Sequence, residues 1–354
     1  MSVIMPMHRL SPARMQNAEI HRKAMRKAKN ALKRQRFTAE ITELLLNNLD
    51  GLNKKFKPEH AMDGLGLFVS PKVVELVHFP FPVMEKVIID KTFETRDLHY
   101  LNQLLTPYYL LTIGKKRISL YAAKGDDLSE IKDGHFPMEY EEEYEYARPS
   151  RGASYGNALK GFEKDKSVME NIRTLAFFRK ATQHLAQYIN KPDVPLLVAG
   201  TRTQLAGFTH TSGLSDHIAG TVTGSFSHKN FENLHHKAWM GIISFMQRQI
   251  KERIREIAGK GKPGKLAKGI QEVWQAAYEG RGLLLLVEKD YMQPSYLRDG
   301  DPILYMRPPK GNYTLVPDAV DEIIETVFSK GGQVIFTEDR NLRGFDSIAL
   351  TLRY

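Results

Sequence analysis

Short apolar runs bounded by Gly and Pro recur along this chain between stretches of helical period, and that alternation restricts it to an α/β architecture. Tyr108 to Ile113 and Arg117 to Tyr121 flank Gly114-Lys115-Lys116, which predicts a β-hairpin. Val194 to Ala199, set against Pro195 and Gly200, predicts a buried strand that feeds a loop. Towards the end of the sequence the pattern reads helix (Leu266 to Tyr278), strand (Gly282 to Val287), helix (Ala319 to Ser329) and two strands (Gln333 to Thr337, Ser347 to Arg353). Asp318, with Asp321 three residues on, resembles a capping box, and Gly331-Gly332 supplies a left-handed stop.

The first part of the chain has the same mixed character. Val3 to Pro6 is extended, Arg14 to Asn48 reads as one long helix with Ile41, Leu44, Leu45 and Leu49 near its end, and Gly66 to Val69 and Val73 to His78 read as strands. A chain of 354 residues is long for one domain. The expected division is a basic N-terminal unit (1–104), a middle unit (105–260) with a long loop at 133–162, and a C-terminal α/β unit (261–354). The Gly-, Lys- and Pro-rich stretch 258–268 marks the second junction.

Charge is distributed unevenly. Net charge is +10, and residues 1–36 hold ten Lys and Arg against the single acid Glu19, which leaves +9 there. A polyanion is the natural partner of so concentrated a charge, and Arg22, Lys23, Arg26 and Lys27 sit at its centre. A second basic stretch, small and flexible, follows an acidic run of glutamates and tyrosines from Glu139 to Tyr146. It contains Arg148, Ser150, Arg151, Gly152, Tyr155, Gly156, Asn157 and Lys160, and a loop reading leads to a helix beginning near Lys166.

There is no cysteine, which removes disulfides, thiolate zinc sites and cysteine nucleophiles, and fits a reducing compartment. The longest apolar runs, such as Leu283 to Val287, fall far short of the roughly 20 residues of a membrane span. The start of the chain lacks the apolar core of a secretory signal. A soluble, cytoplasmic chain with no membrane partner is therefore expected.

Several motifs point to chemistry and then fail on spacing. Gly331-Gly332-Gln333 lies between a helix end and a strand, where it serves as a stop signal. Gly259 to Lys265 imitates half of a phosphate-binding loop, but Leu266 stands where Ser or Thr must hold magnesium. His210, His217, His228, His235 and His236 lack zincin spacing, and the runs His210 to Asp216 and Gly220 to Asn230 read as loops. Asp126, Asp127 and Glu130 could serve a metal-dependent ribonuclease, the alternative enzymatic reading, but they cluster on one stretch of sequence.

Segments of the chain, in order, resemble the family of the archaeal and eukaryotic peptide-release factor and Pelota, in its bacterial branch. The resemblance is carried by Pro6 to Arg9, Leu196 to Gly200, Ala276 to Arg281, the helix with Asp321, Ile323 and Ile324, and the strands Gly331 to Phe336 and Ile348 to Tyr354. It implies a decoding-side N-terminal domain, an RNase H-like middle domain and an L7Ae-like C-terminal domain facing a translational GTPase of the elongation factor Tu type. His8 and Arg9 would join the RNA-binding residues. In release factors the middle domain carries Gly-Gly-Gln on a basic loop ahead of a long helix, whereas here that stretch reads Ser150-Arg151-Gly152-Ala153-Ser154-Tyr155-Gly156-Asn157. The resemblance thus implies a factor that contacts decoding-centre and peptidyl-transferase-centre RNA, in hibernation or rescue, with no catalytic residue, metal or cofactor.

Overall fold

The structure, a computed structural model, describes residues 1–125, 127–140, 155–189, 194–226, 231–260, 264–338 and 340–354. It forms two compact units, one of residues 1–103 with 250–354 and the other of residues 104–249.

The first unit opens with β1 (Ser2–Pro6), α1 (Asn17–Arg34), α2 (Ala39–Lys55), β2 (Gly64–Val69), β3 (Val74–Phe79), β4 (Lys86–Ile88) and α3 (Arg96–Leu104). The four strands make an antiparallel sheet in the order β3-β2-β1-β4. On α1, His21, Ala24, Met25, Ala28 and Leu32 are buried at helical spacing, and the apolar members of that stripe meet Val3, Met5, Leu65 and Leu67 together with Leu45, Leu49 and Leu52 of α2. The single helix expected over Arg14 to Asn48 is two helices. Gln35 turns extended after α1, and the Thr38 side chain accepts from the Ile41 N–H at 3.4 Å to cap α2. His21, stacked on Phe56 at 4.2 Å, closes the helical hairpin, and burial lowers its pKa.

The second unit contains β5 (Pro107–Ile113), β6 (Arg117–Lys124), β7 (Asp127–Glu130), β8 (Met138–Glu139), α4 (Tyr155–Ile189), β9 (Leu196–Gly200), α5 (Arg202–Ser212), β10 (Ile218–Thr223) and most of α6 (Phe231–Lys260). The sheet order is β10-β9-β5-β6-β7, with β8 also on β6. Strands β5, β6 and β7 are antiparallel, while β9 is parallel to β5 and β10 parallel to β9. This is the RNase H-like arrangement. Phe178, Ala181 and Leu185 of α4 and Phe208 of α5 cover one face, and Leu234, Ala238, Trp239 and Ile242 of α6 cover the other. Two expectations change here. Helix α4 begins at Tyr155, ahead of the expected Lys166, and residues 220–223 belong to β10, whose parallel pairing to β9 needs no alternating pattern.

The first unit is completed by the end of α6, β11 (Leu266–Lys268), α7 (Gly269–Tyr278), β12 (Gly282–Glu288), β13 (Ser295–Arg298), β14 (Leu304–Tyr305), β15 (Tyr313–Val316), α8 (Ala319–Ser329), β16 (Gln333–Thr337) and β17 (Ile348–Leu352). The main sheet, β11-β17-β12-β16, has Ile254 of α6 against Leu284, Leu286 and Ala349 on one face. Helices α7 and α8 pack against its strands, giving the layered α/β domain the resemblance implied. Residues 266–268, expected in the helix, form β11 because Gly269 takes a φ of 69° that breaks the helical run.

Segments distant in sequence are fastened together by buried charge. The Arg96 side chain is fully buried, donates from Nη2 to Asp318 and from Nη1 to the Tyr291 carbonyl, and its backbone N–H reaches Asp321 Oδ1 at 3.1 Å. Asp318 still caps α8, accepting from Val320 N–H at 3.0 Å, but Asp321 serves Arg96, so no capping box closes. Gln103 adds a reciprocal pair with the Phe336 peptide, donating to its carbonyl at 2.9 Å and accepting from its N–H at 2.8 Å.

Candidate RNA interface

The buried stripe of α1 leaves the opposite face to its cations. Arg22, Lys23, Arg26, Lys27, Lys33 and Arg34 are all exposed. Arg22 pairs with Glu19 and Lys27 with Glu85, surface ion pairs that hold little energy and leave the cations available. Lys23 and Arg26 have no carboxylate partner among the described residues. His8 and Arg9 lie beside the start of this helix. The buried Asn17 side chain accepts from the His8 N–H and donates to the His8 carbonyl, both at 2.9 Å, and Arg9 Nε lies 3.9 Å from Asp63. The six N-terminal residues named from the sequence therefore share one small platform.

The second group is only partly described. Arg148, Ser150, Arg151 and Gly152 lie outside the described residues. Tyr155, Gly156, Asn157 and Lys160 occupy the first turns of α4, so the basic stretch reaches into the helix that follows it. The chain ahead of this stretch is anchored on α4. Asp133 accepts from the Tyr188 hydroxyl, which holds its carboxyl down to about 2, His135 lies over His184 at 4.6 Å, and Tyr140 meets Phe177 edge-on at 5.6 Å.

The motifs that imitate chemistry are occupied with structural work. Gly331 has a φ of 72°, its N–H donates to the Phe328 carbonyl at 2.9 Å and that of Gly332 to the Val327 carbonyl at 2.8 Å, which is a Schellman stop for α8. Gln333 then starts β16. Glu130 accepts from Arg117 at 2.8 Å within the sheet, Asp127 pairs in register with Lys124, and Asp126 lies outside the described residues. His210 is on α5, His217 on a 3-10 turn, and His235 and His236 on α6, while His228 lies outside the described residues. Among the described residues no three His, Asp or Glu side chains are grouped to hold a metal ion. The Gly259 to Lys265 stretch, described in part, leads from α6 into β11, the reverse of the strand-to-helix order a phosphate loop needs.

Residues 107–281 match the family model of bacterial archaeo-eukaryotic release factor family 3. Over these residues the chain is a bacterial release factor/Pelota-like protein. That match starts at the first residue of β5 and runs through the whole RNase H-like sheet and α7, to the residue before β12. No curated protein matches this release factor/Pelota-like chain in sequence. Among solved structures it is similar to an archaeal translation termination factor, at 16% identity over 100% of this chain and 92% of the other, with a TM-score of 0.26. Archaeoglobus fulgidus Pelota shares 16% identity over 73% of this chain and 69% of its own, with a TM-score of 0.36. The S. cerevisiae termination-like factor Dom34, described as interacting with Hbs1, shares 10% identity over 82% and 74%, with a TM-score of 0.36.

Sequence reasoning left residues 295–316 unread, and there the structure builds a small sheet whose outer face gathers Tyr296, Arg298, Tyr305, Tyr313 and Leu315. The signal was available as the two-residue spacing of Tyr296 with Arg298 and of Tyr313 with Leu315.

Proposed function

We propose that this release factor/Pelota-like protein binds the ribosome and occupies its A site in the cytoplasm, in hibernation or rescue, without hydrolysing peptidyl-tRNA. The exposed cations of α1, with His8 and Arg9 beside them, bind decoding-centre RNA of the small subunit. The stretch from Arg148 to Lys160 reaches peptidyl-transferase-centre RNA. The C-terminal layers dock a GTPase of the elongation factor Tu type. One observation carries the non-hydrolytic part of this reading: the Gly-Gly-Gln triplet of this chain is Gly331 to Gln333, locked as a helix stop and strand start, while the stretch ahead of α4 holds none. A triplet that must insert into an RNA site needs a loop, and this one has its backbone committed.

The test pairs two measurements on the full chain. Replacing Arg22, Lys23, Arg26 and Lys27 by Glu should abolish most ribosome co-sedimentation and flatten its salt dependence, by about one unit of log–log slope for each phosphate that is no longer neutralised. Wild-type protein added to ribosomes loaded with peptidyl-tRNA should release no peptide. Unchanged co-sedimentation removes α1 from the interface, and release by the wild-type chain refutes the non-hydrolytic reading.

A further inference from the structure

Strands β13, β14 and β15 form a sheet of their own, ordered β14-β13-β15. Its registers pair Tyr296 with both Tyr305 and Leu315, and Arg298 with Tyr313. Because alternate residues of a strand share a face, these side chains stand together on one side. Ser295, Leu304 and Val316, of opposite parity, are buried on the other side. That inner side is tied to α7, whose Trp274 Nε1 donates to the Pro302 carbonyl at 2.8 Å and whose Gln271 donates to the Leu304 carbonyl at 3.4 Å. The outer face is open. Tyr313 is 47% exposed, Leu315 54%, and Ile303, just before β14, 57%.

The side chains on this face hold one another in place. The Tyr296 and Tyr313 rings meet edge to face at 5.4 Å. The Arg298 guanidinium lies 5.8 Å from the centre of the Tyr305 ring. Asp301 fixes both, accepting from Arg298 Nη2 at 2.9 Å and from the Tyr305 hydroxyl at 2.7 Å. Its negative charge is thereby used inside the cluster, and Asp299 sits beyond the strand at the turn. Arg307 and Lys310, both exposed, lie on the connection from β14 to β15. Three tyrosines set by backbone register, with cations at the border and no unengaged carboxylate among the paired face residues, match the chemistry of unpaired bases on a phosphate backbone.

We propose that the outer face of the β14-β13-β15 sheet is a stacking platform for exposed bases of single-stranded RNA. Tyr296, Tyr305 and Tyr313 supply the aromatic surface, Arg298 is held beside Tyr305 by Asp301, and Arg307 and Lys310 supply positive charge. Stacking on such rings tolerates any base, because every base has a π-face, so the platform takes accessible single strands without strong sequence preference. It is a second RNA-contacting surface, and it stands or falls independently of α1.

Fluorescence anisotropy of the full chain with labelled ten-residue uridine and adenine RNA strands tests it. The titration is run both in the wild-type background and with Arg22, Lys23, Arg26 and Lys27 changed to Glu, so that α1 cannot mask the result. Tyr313→Ala and Tyr296→Ala are each expected to weaken binding about 5- to 150-fold, the equivalent of roughly 1 to 3 kcal/mol per stacked base, whereas Tyr313→Phe retains it. Duplex RNA should compete poorly in the α1-reversed background. Thermal melts of each variant establish that the fold is intact, which the exposure of Tyr313 favours. Wild-type affinity of both alanine variants in both backgrounds overturns the proposal. So does the absence of single-strand binding once α1 is reversed, or loss of a protein partner on the same substitutions with RNA affinity unchanged.

Discussion

Replacing Arg96 by Met tests how the first unit is held together. Arg96 has no exposed surface, and its guanidinium answers Asp318 and the Tyr291 carbonyl while its backbone N–H serves Asp321. Methionine fills much of the same volume and keeps the backbone N–H that serves Asp321, but leaves Asp318 buried without its cation. Removing one partner of a buried pair costs about 3 to 5 kcal/mol, because the surviving charge has lost both water and its counterion. The unit, residues 1–103 with 250–354, is about 200 residues, for which each kcal/mol lowers the melting temperature by about 2 to 4 °C. Circular dichroism should therefore show a fall of about 6 to 20 °C. Adding Asp318→Asn should restore part of it, since asparagine can still cap α8 without a charge to compensate. A single variant within about 1 kcal/mol of wild type, or a double variant whose loss is the plain sum of the two, would refute the coupling of these groups.

Three further outcomes follow from neighbouring features. Burial, with Glu94, Asp318 and Glu325 adding to it against the opposing Arg96, pushes the Asp321 carboxyl up to about 8 from 3.8, so its contribution is full below about pH 4 and is lost as pH rises through about 8; urea midpoints should fall from pH 5 to pH 9, and Asp321→Asn should flatten that fall. An increase in wild-type midpoint over that range contradicts the assignment. Gln103→Ala removes both hydrogen bonds to the Phe336 peptide and should cost about 1 to 3 kcal/mol by denaturant titration, with no loss at all as the contrary result. Gly332→Ala would set a methyl 2.6 Å from Val327 Cγ1 and 3.0 Å from the Val327 carbonyl, and overpacking of that kind costs about 1 to 3 kcal/mol, whereas the exposed Gln333→Ala should change stability by less than about 0.5 kcal/mol. If Gln333→Ala abolished a peptide-release activity of the wild-type chain, the structural reading of the triplet would be wrong.

Local signals carried most of the architecture. The Asp318 cap, the Gly331-Gly332 stop, the hairpin through β5 and β6 and the buried run of β9 all depend on residues within a few positions of one another, and the structure places each of them close to where the sequence did. The break between α1 and α2 was harder to see, because no Gly or Pro lies between Arg34 and Ala39 and the only mark is Thr38 as a cap. The basic face of α1 was legible because charge accumulates along a single helix. Arg96 was not, since its carboxylate partner is 222 positions away and a pair so distant leaves no periodicity behind. The tyrosine face was missed for a related reason: its three rings come from three short strands, and only the register of the sheet collects them.

The side-chain amide of Gln103 has a consequence beyond docking α3. Strand β16 is the outermost strand of its sheet, and an outermost strand offers free peptide groups to any passing chain. At Phe336 those groups are already engaged, donor and acceptor alike, by an amide that mimics the peptide of a missing neighbour. The sheet therefore ends where a single glutamine stands in for a fifth strand, and a second copy of the chain meets an edge with no vacancy at that position, which guards a protein of this concentration of β-structure against self-association by strand addition.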